Sequence, residues 1–228
     1  MYSALLLNGG VGKRFGAEAP KQFTRVNGLP IVVYSLLAID RVEAIDEIVL
    51  NYPPGWRDSL EKIVRDYAVG TAVRYVEAGE SRHESVARML PLARNEHVIL
   101  HESARPLVGT DDFQAIIDEP AVNVTYALDI PFTVAPVDPA TGLVTGSLER
   151  DRLRNVQLPQ KYALADLAHA HAYARERGLV FTEDATLCTV AGHEVAFLAG
   201  RDRNIKITKL QDLHLANHLL RDVEEVDE

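Results

Sequence analysis

Apolar and polar positions alternate along the chain in two periods, and the periods take turns. Ala4–Asn8 is a short apolar run and predicts a buried strand. Pro30–Ile39 follows Gly28 and predicts a helix with proline in its first turn, where the missing N–H costs nothing. "EIVLNY", from Glu47, predicts a second strand. Trp56, Leu60, Ile63, Val64 and Tyr67 have helical spacing, so a helix is expected over Trp56–Tyr67. Ala72–Val76 predicts a strand, Arg82–Leu92 a helix with Val86, Met89 and Leu90 on its apolar face, and His97–His101 another strand. Thr110 reads as the N-cap of a helix through Ile117, with Asp111 and Asp112 favourable in its first turn. "AVNVTYAL" predicts a fifth strand. Later come helices over Leu164–Arg177 and from about Asp184, a strand "EVAFLAG", and a closing helix from about Leu210.

Strands and helices that alternate in this way predict an α/β, Rossmann-like three-layer fold: a mostly parallel twisted sheet with helices on both faces. Ligands then bind beyond the carboxyl ends of the strands. The rhythm breaks between Ile130 and Gln160, a segment with four prolines and two glycines. "VDPATGLVT" reads as a β-turn between two extended pieces, so the expectation is a protruding β-arm at about 130–160 on a single domain, 1–228. Its alternating Val134, Val137, Leu143, Val144 and Leu148 need a surface to cover, and a second copy of the chain supplies one. The expected assembly is a homodimer formed through this arm.

Composition narrows the classes. The 228 residues are 47% hydrophobic, enough for a sizeable core. A net charge of −9 argues against nucleic acid as a partner. No window is long and apolar enough for a membrane span, and "MYSALLLN" lacks the basic region of a signal peptide. The single cysteine, Cys188, reads as part of a buried helix end. A cytoplasmic protein is expected.

The candidate chemistry starts at "LNGGVGKRFGAEAPKQF", Leu7–Phe23. A P-loop needs G-x-x-x-x-G-K-[ST]; here Arg14 follows Gly12-Lys13, and Leu7 stands where the first glycine belongs. A dinucleotide fingerprint needs a third glycine where this chain has Phe15. What remains is a glycine turn whose backbone N–H groups can form an anion nest, followed by Arg14 and Lys21. Arginine grips two phosphate oxygens at once, and lysine offers a compact charge. The same pattern alone also fits a glycine turn with solvated basic residues. His169 and His171, two apart on a helix, face different ways and read as surface residues. "HES" at His101–Ser103 lacks the G-x-S-x-G elbow of a hydrolase.

Five stretches in order carry a resemblance: "GGVGKRFGAEAPKQF", "GESRHESV" from Gly79, "LHESARP" from Leu100, "QLPQKY" from Gln157 and "GRDRNIKIT" from Gly200. Together they resemble the family containing 2-C-methyl-D-erythritol 4-phosphate cytidylyltransferase and ribitol-5-phosphate cytidylyltransferase. The resemblance implies that CTP and a polyol phosphate give a CDP-polyol and pyrophosphate, with Mg²⁺ or another divalent cation as cofactor. It implies that Gly9, Gly10 and Gly12 hold the triphosphate, and that Arg14, Lys21 and Lys206 stabilise charge on the α-phosphate and the departing pyrophosphate. Gly79, Glu80 and Ser85 would read cytosine, with Arg82 supporting that turn; Glu102 and Ser103 complete the nucleotide set, Glu102 being the metal ligand. Arg105, Thr133 and Arg150 would meet the acceptor, Arg150 reaching from the arm into the partner's site as a catalytic group.

The chain departs from the family pattern at several of these positions. Glu102 replaces an aspartate, Leu158 a threonine, "PFTV" an aspartate–threonine pair, and "NGG" the usual "AAG". The best-matched acceptor is 2-C-methyl-D-erythritol 4-phosphate. The altered positions keep ribitol 5-phosphate, or another phosphorylated or phosphonate alcohol, as an alternative. A CTP-binding protein without turnover is the alternative of a different class.

Overall fold

The computed structural model describes residues 1–10 and 19–224. Its centre is a seven-stranded sheet made of β1 (Tyr2–Leu7), β4 (Ile45–Tyr52), β5 (Ala72–Glu77), β6 (His97–Glu102), β7 (Val124–Asp129), β8 (Arg154–Ala163) and β9 (Ala196–Ala199). The spatial order is β5-β4-β1-β6-β8-β7-β9. All neighbours are parallel except β8, which runs antiparallel to both β6 and β7. A small ribbon, β2 (Arg25–Val26) with β3 (Leu29–Pro30), stands apart.

Central β1 shows why the strands read as unbroken apolar runs. Its side chains alternate between faces, and both faces are covered. Ala4 and Leu6 point into one core with α1 (Ile31–Asp40), α2 (Arg57–Asp66) and α4 (Thr110–Asp118), through Val32, Leu36, Leu60 and Phe113. Leu5 and Leu7 point into the other, with α3 (Arg82–Met89), α5 (Leu164–Glu176) and α6 (Asp184–Val190), through Val86, Met89, Leu167 and Leu187. Truncating a fully buried leucine such as Leu5 to alanine would cost about 2–5 kcal/mol. Cys188 lies in this second core, buried as expected. The last helix, α7 (Leu210–Glu224), packs through Ala216 with Val26 of the ribbon and Ile207. The three-layer α/β expectation therefore holds. Among the described residues, no helix is long and apolar enough to cross a membrane.

Three local expectations are corrected. Pro30 is not inside the first helical turn but precedes it with extended backbone, because it closes the ribbon opposite Arg25. Gly109, not Thr110, precedes α4: the Asp112 carboxylate accepts the Gly109 N–H at 3.0 Å, while the Thr110 hydroxyl donates to Ala38 O at 3.2 Å. The arm ends earlier than Gln160, since Arg154–Ala163 is a strand of the main sheet. The register against β7 jumps there, from Gln157 opposite Tyr126 to Gln160 opposite Thr125, so Leu158 and Pro159 form a bulge.

Between β7 and β8 the arm extends, pairing Val137 with Val144 in one antiparallel bridge around its turn and ending in a short 3-10 turn at Arg150–Arg152. At its tip, Asp138 N–H donates to Leu143 O (2.9 Å), Gly142 N–H to Asp138 O (2.8 Å) and Thr145 N–H to Pro136 O (2.9 Å). Gly142 supplies the positive φ, 72°, that this turn requires. Phe132, Val137, Leu143 and Val144 are more than half exposed.

Candidate active site

Parallel strands β5, β4, β1 and β6 end on the same side of the sheet, and a cleft of about 780 Å³ opens beyond those ends. Four short segments wall it: Leu7–Gly10 after β1, Asn51 at the end of β4, Glu77–Arg82 between β5 and α3, and Glu102–Ala104 at the end of β6. Lys21, Gln22, Pro54, Ser85, Arg88 and Lys206 also line it.

The segment after β1 needs glycine for space. A Cβ on Gly9 would lie 2.2 Å from Ala78 Cβ, so only glycine lets this loop touch the turn after β5. Buried amides brace it. Asn8 N–H donates to Asn51 Oδ1, Gln22 Nε2 donates to Asn8 O, and Ser103 Oγ donates to Asn8 Oδ1 at 2.7 Å.

Gly79–Arg82 is equally tight. Ser81 caps α3 by accepting Glu84 N–H (3.0 Å), and Glu84 accepts Glu80 N–H in return (2.8 Å). Ser85 Oγ accepts Gly79 N–H (3.0 Å) and donates to Ser81 O (2.8 Å), so its hydroxyl fixes the turn's shape. A Cβ on Gly79 would sit 2.7 Å from Glu84 Cβ.

At the other end of the cleft the charges gather around Glu102. Its Oε1 accepts Arg82 Nε at 3.1 Å; its Oε2 lies 2.6 Å from Lys206 Nζ and 3.9 Å from Arg105 Nε. Burial alone pushes the Glu102 carboxyl up, but the charges of Lys206, Arg82 and Arg105 outweigh it and hold it down at about 2. Arg82 also reaches back to Asp184, the first residue of α6. Burial disfavours the guanidinium charge, yet Asp184 and Glu102 together raise its pKa further still. Lys21 Nζ donates to Ile207 O (2.5 Å), which ties the glycine-loop side of the cleft to the segment bearing Lys206.

Of the residues expected at the site, the structure brings together Gly9, Gly10, Lys21, Gly79, Glu80, Arg82, Ser85, Glu102, Ser103 and Lys206. Gly12 and Arg14 lie outside the described residues. Arg105 stands behind the wall, 9% exposed, with Nη1 donating to Asn204 O at 2.8 Å and Oδ1 at 3.2 Å. Thr133 and Arg150 are exposed on the arm, and Arg150 Nη1 donates to Pro131 O at 3.5 Å. Leu158 packs in the core beside Tyr162 and Leu167. His171, expected on the surface, is buried: its Nε2 donates to Asp184 Oδ1 at 2.9 Å and its ring stacks on His83. Asp184 and the turn of α5 toward α6 explain the difference, and the i, i+2 spacing carried no trace of them. Asn51, Gln22 and Arg88 also line the cleft without having been singled out. Gln22 lies in the quoted Leu7–Phe23 stretch, and the Glu84–Arg88 pair, four apart on α3, was a signal for Arg88.

Comparison with known proteins finds matches over nearly the whole chain. The family model described as IspD, 2-C-methyl-D-erythritol 4-phosphate cytidylyltransferase, matches residues 3–222. A 2-C-methyl-D-erythritol 4-phosphate cytidylyltransferase of Bacillus cytotoxicus is 31% identical over 224 residues, covering 96% of this chain and 98% of its own. A ribitol-5-phosphate cytidylyltransferase of Lacticaseibacillus paracasei is 30% identical, covering 98% of this chain and 100% of its own. The crystal structure of the Thermus thermophilus 2-C-methyl-D-erythritol 4-phosphate cytidylyltransferase is similar with a TM-score of 0.77 and 31% identity, over 97% of this chain and 100% of that one.

Proposed function

The chain belongs to the 2-C-methyl-D-erythritol 4-phosphate cytidylyltransferase family, and we propose that its cleft transfers a cytidylyl group from CTP to a polyol phosphate, with 2-C-methyl-D-erythritol 4-phosphate as the acceptor. It is a CTP-dependent nucleotidyltransferase. The observation that carries the reading is the division of the cleft. Tight turns at Gly9–Gly10 and Gly79–Ser81, which carry no basic residue, line one part, and elsewhere Lys206 and Arg82 pair with the buried Glu102 carboxylate, with Lys21 tied to Ile207 next to Lys206.

The tight turns suit the base and the glycine-lined approach to phosphates; the cationic groups suit the triphosphate. An oxygen of the acceptor phosphate forms a bond to the α-phosphorus. The bond from that phosphorus to the oxygen bridging to the β-phosphate breaks, and pyrophosphate leaves with the electron pair. Such displacement needs positioning and charge neutralisation more than covalent help. Lys21 and Lys206 neutralise the developing charge; Ser85 and Ser81 hold the turn that receives the base. Arg105 keeps the Lys206 segment in place through Asn204.

A divalent cation would meet one carboxylate here, Glu102, whose two oxygens already face Arg82 and Lys206, so the triphosphate would supply most of its ligands. Glu102 is an ionised carboxylate in the cleft, and Mg²⁺ is commonly bound by one or two carboxylates plus substrate phosphates. Among the described residues no three ligating side chains cluster, so Glu102 would hold the ion together with the triphosphate, where it would supply further charge neutralisation.

The exposed apolar arm supports a homodimer, in which Arg150 and Thr133 serve the partner's acceptor site. The cytoplasm, where CTP is made and used, is the proposed compartment. Ribitol 5-phosphate is the second acceptor to test, because a relative of that name matches as fully as the others.

Pyrophosphate release from CTP is the test, with both acceptors and a wider panel of phosphorylated and phosphonate alcohols. Release with 2-C-methyl-D-erythritol 4-phosphate at the highest kcat/KM is expected. Calorimetric CTP binding without release on any acceptor would make the chain a binding protein.

A further inference from the structure

Arg82 is held from two sides. Nε donates to Glu102 Oε1, Nη1 donates to Asp184 Oδ2, and Nη2 has no hydrogen-bond partner among the described residues. Asp184 is 1% exposed and faces a second restraint: its other oxygen accepts from His171 Nε2 at 2.9 Å. An ionised carboxylate only accepts, so the histidine nitrogen there must carry the proton. His83 stacks on the His171 ring with centroids 4.4 Å apart and fixes its plane. Burial raises the Asp184 carboxyl, but Arg82 and His171 bring it below its ordinary value, so it is a lasting anion.

A guanidinium beside a carboxylate ordinarily closes a bidentate pair. Here the grip is single: Nε alone reaches Glu102, Asp184 holds Nη1, and Nη2 makes no hydrogen bond to the carboxylate. Glu102 Oε2 is left to Lys206, at 2.6 Å. We propose that Asp184, oriented by His171, is a positioning residue of the cytidylyl-transfer site: by dividing the Arg82 guanidinium between two carboxylates it keeps one Glu102 oxygen for Lys206. Released from Asp184, Arg82 turns and grips both Glu102 oxygens, and Lys206 loses its anchor. Neither residue lines the cleft, and neither was singled out for the reaction by the sequence motifs.

This inference rests on the cytidylyl-transfer reading, and the unaltered enzyme separates the two: no pyrophosphate from it sinks that reading, whereas the variants below address only Asp184. Asp184→Asn keeps the shape and removes the charge. It should lower kcat about tenfold or more and change the CTP KM by less than about threefold, since the phosphate end is disturbed and the base end is not. In an Arg82→Lys background, where there is no fork to divide, the same substitution should cost less than about twofold. An equal fold-loss in both backgrounds, or wild-type kcat for Asp184→Asn, overturns the proposal. Thermal unfolding midpoints establish that each variant is folded. If one of these variants does not fold or turn over, His171→Gln and His171→Phe decide. Glutamine keeps a donor toward Asp184 and should retain most of kcat; phenylalanine keeps the ring and loses the donor, and should lose most of it. Equal kcat for the two histidine variants overturns the proposal.

Discussion

The cleft and the arm are built on opposite terms. At the cleft, polar groups of the walls are held by other groups of the same chain: Asn8 by Asn51 and Ser103, Glu102 by Arg82 and Lys206, and, within its own turn, Gly79 by Ser85. On the arm, Phe132 is 78% exposed, Val144 67%, and the tip rests on a few backbone hydrogen bonds. The first region is preorganised by its own fold, which is what charge stabilisation at phosphorus requires. The second has apolar side chains that its own chain leaves open. A substitution in the cleft should therefore act within one subunit, and a substitution in the arm through another.

The strongest challenge to that contrast is Lys21→Ala. It should lower kcat by roughly two or more orders of magnitude, as loss of one preorganised charge at a developing anion does, while CTP affinity falls less. A kcat within a factor of about three of wild type removes Lys21 from the α-phosphate. Next comes complementation. In the proposed dimer, Arg150→Ala should be nearly inactive alone, because the partner's acceptor site would lose a cation. Mixed in equal amounts with Lys21→Ala and allowed to exchange subunits, it should restore roughly a quarter of wild-type activity, since half the dimers are hybrids with one intact site each. Mixtures that stay dead despite proven exchange place Arg150 in its own chain's site, and an active monomer by sedimentation removes the dimer altogether.

A matched pair of glycines sharpens the contrast at smaller scale. Gly79→Ala forces a Cβ to within 2.7 Å of Glu84 Cβ. The CTP KM should rise about tenfold, and stability to denaturant should fall by about 1–3 kcal/mol, the usual range for overpacking. On the arm, a Cβ at Gly146 meets Pro136 Cγ at an ordinary 3.6 Å. Gly146→Ala should change stability by less than about 0.5 kcal/mol. Similar effects from both would erase the distinction between a braced turn and a free one.

The mildest effect is one of pH. His101 is fully buried; burial first, and then the Arg105 charge, push its pKa down to about 3. In the unfolded chain it titrates near its ordinary value of 6.5, so the unfolded state takes up a proton first. The stability of the neutral, folded form is complete above about 6.5 and is lost as pH falls toward 3. Glu102 acts in the same direction lower down, from its ordinary value of 4.5 to about 2. Denaturation midpoints should thus fall steadily from about pH 7 to about pH 4, and His101→Phe should flatten the upper part of that slope. An unchanged slope would mean His101 is protonated in the native fold.

Much of this was legible in the chain because each strand and helix states its own period. Ala4–Leu7 needed two covered faces and found them; Gly79 and Gly9 mark places where a backbone comes too near another for a side chain. What escaped was set by partners far away in sequence. His171 is buried because Asp184 lies against it, and β8 survives a proline because its register shifts by a bulge. Arg105 carries the sign expected of a phosphate ligand, yet its bonds go to Asn204, which no local pattern announces. The arm was recognised by its break in rhythm, but that break runs on into Arg154–Gln160, which belongs to β8.

The bonds that shape the cleft span long stretches of chain: 95 residues from Asn8 to Ser103, 102 from Arg82 to Asp184 and 186 from Lys21 to Ile207. Such contacts form only after large loops have closed, which makes them late and slow events in folding. A nascent chain therefore has no nucleotide pocket until its last quarter has been made and has docked on its first. Nucleotide then acts as a clasp on the finished molecule. At about a hundred times its dissociation constant a ligand of the native state adds roughly 2.7 kcal/mol against unfolding, and here that energy is spread from the first strand to the segment after the last. The pool of CTP in a cell is for this protein both a substrate and a folding sensor, met only by chains whose two ends have found each other.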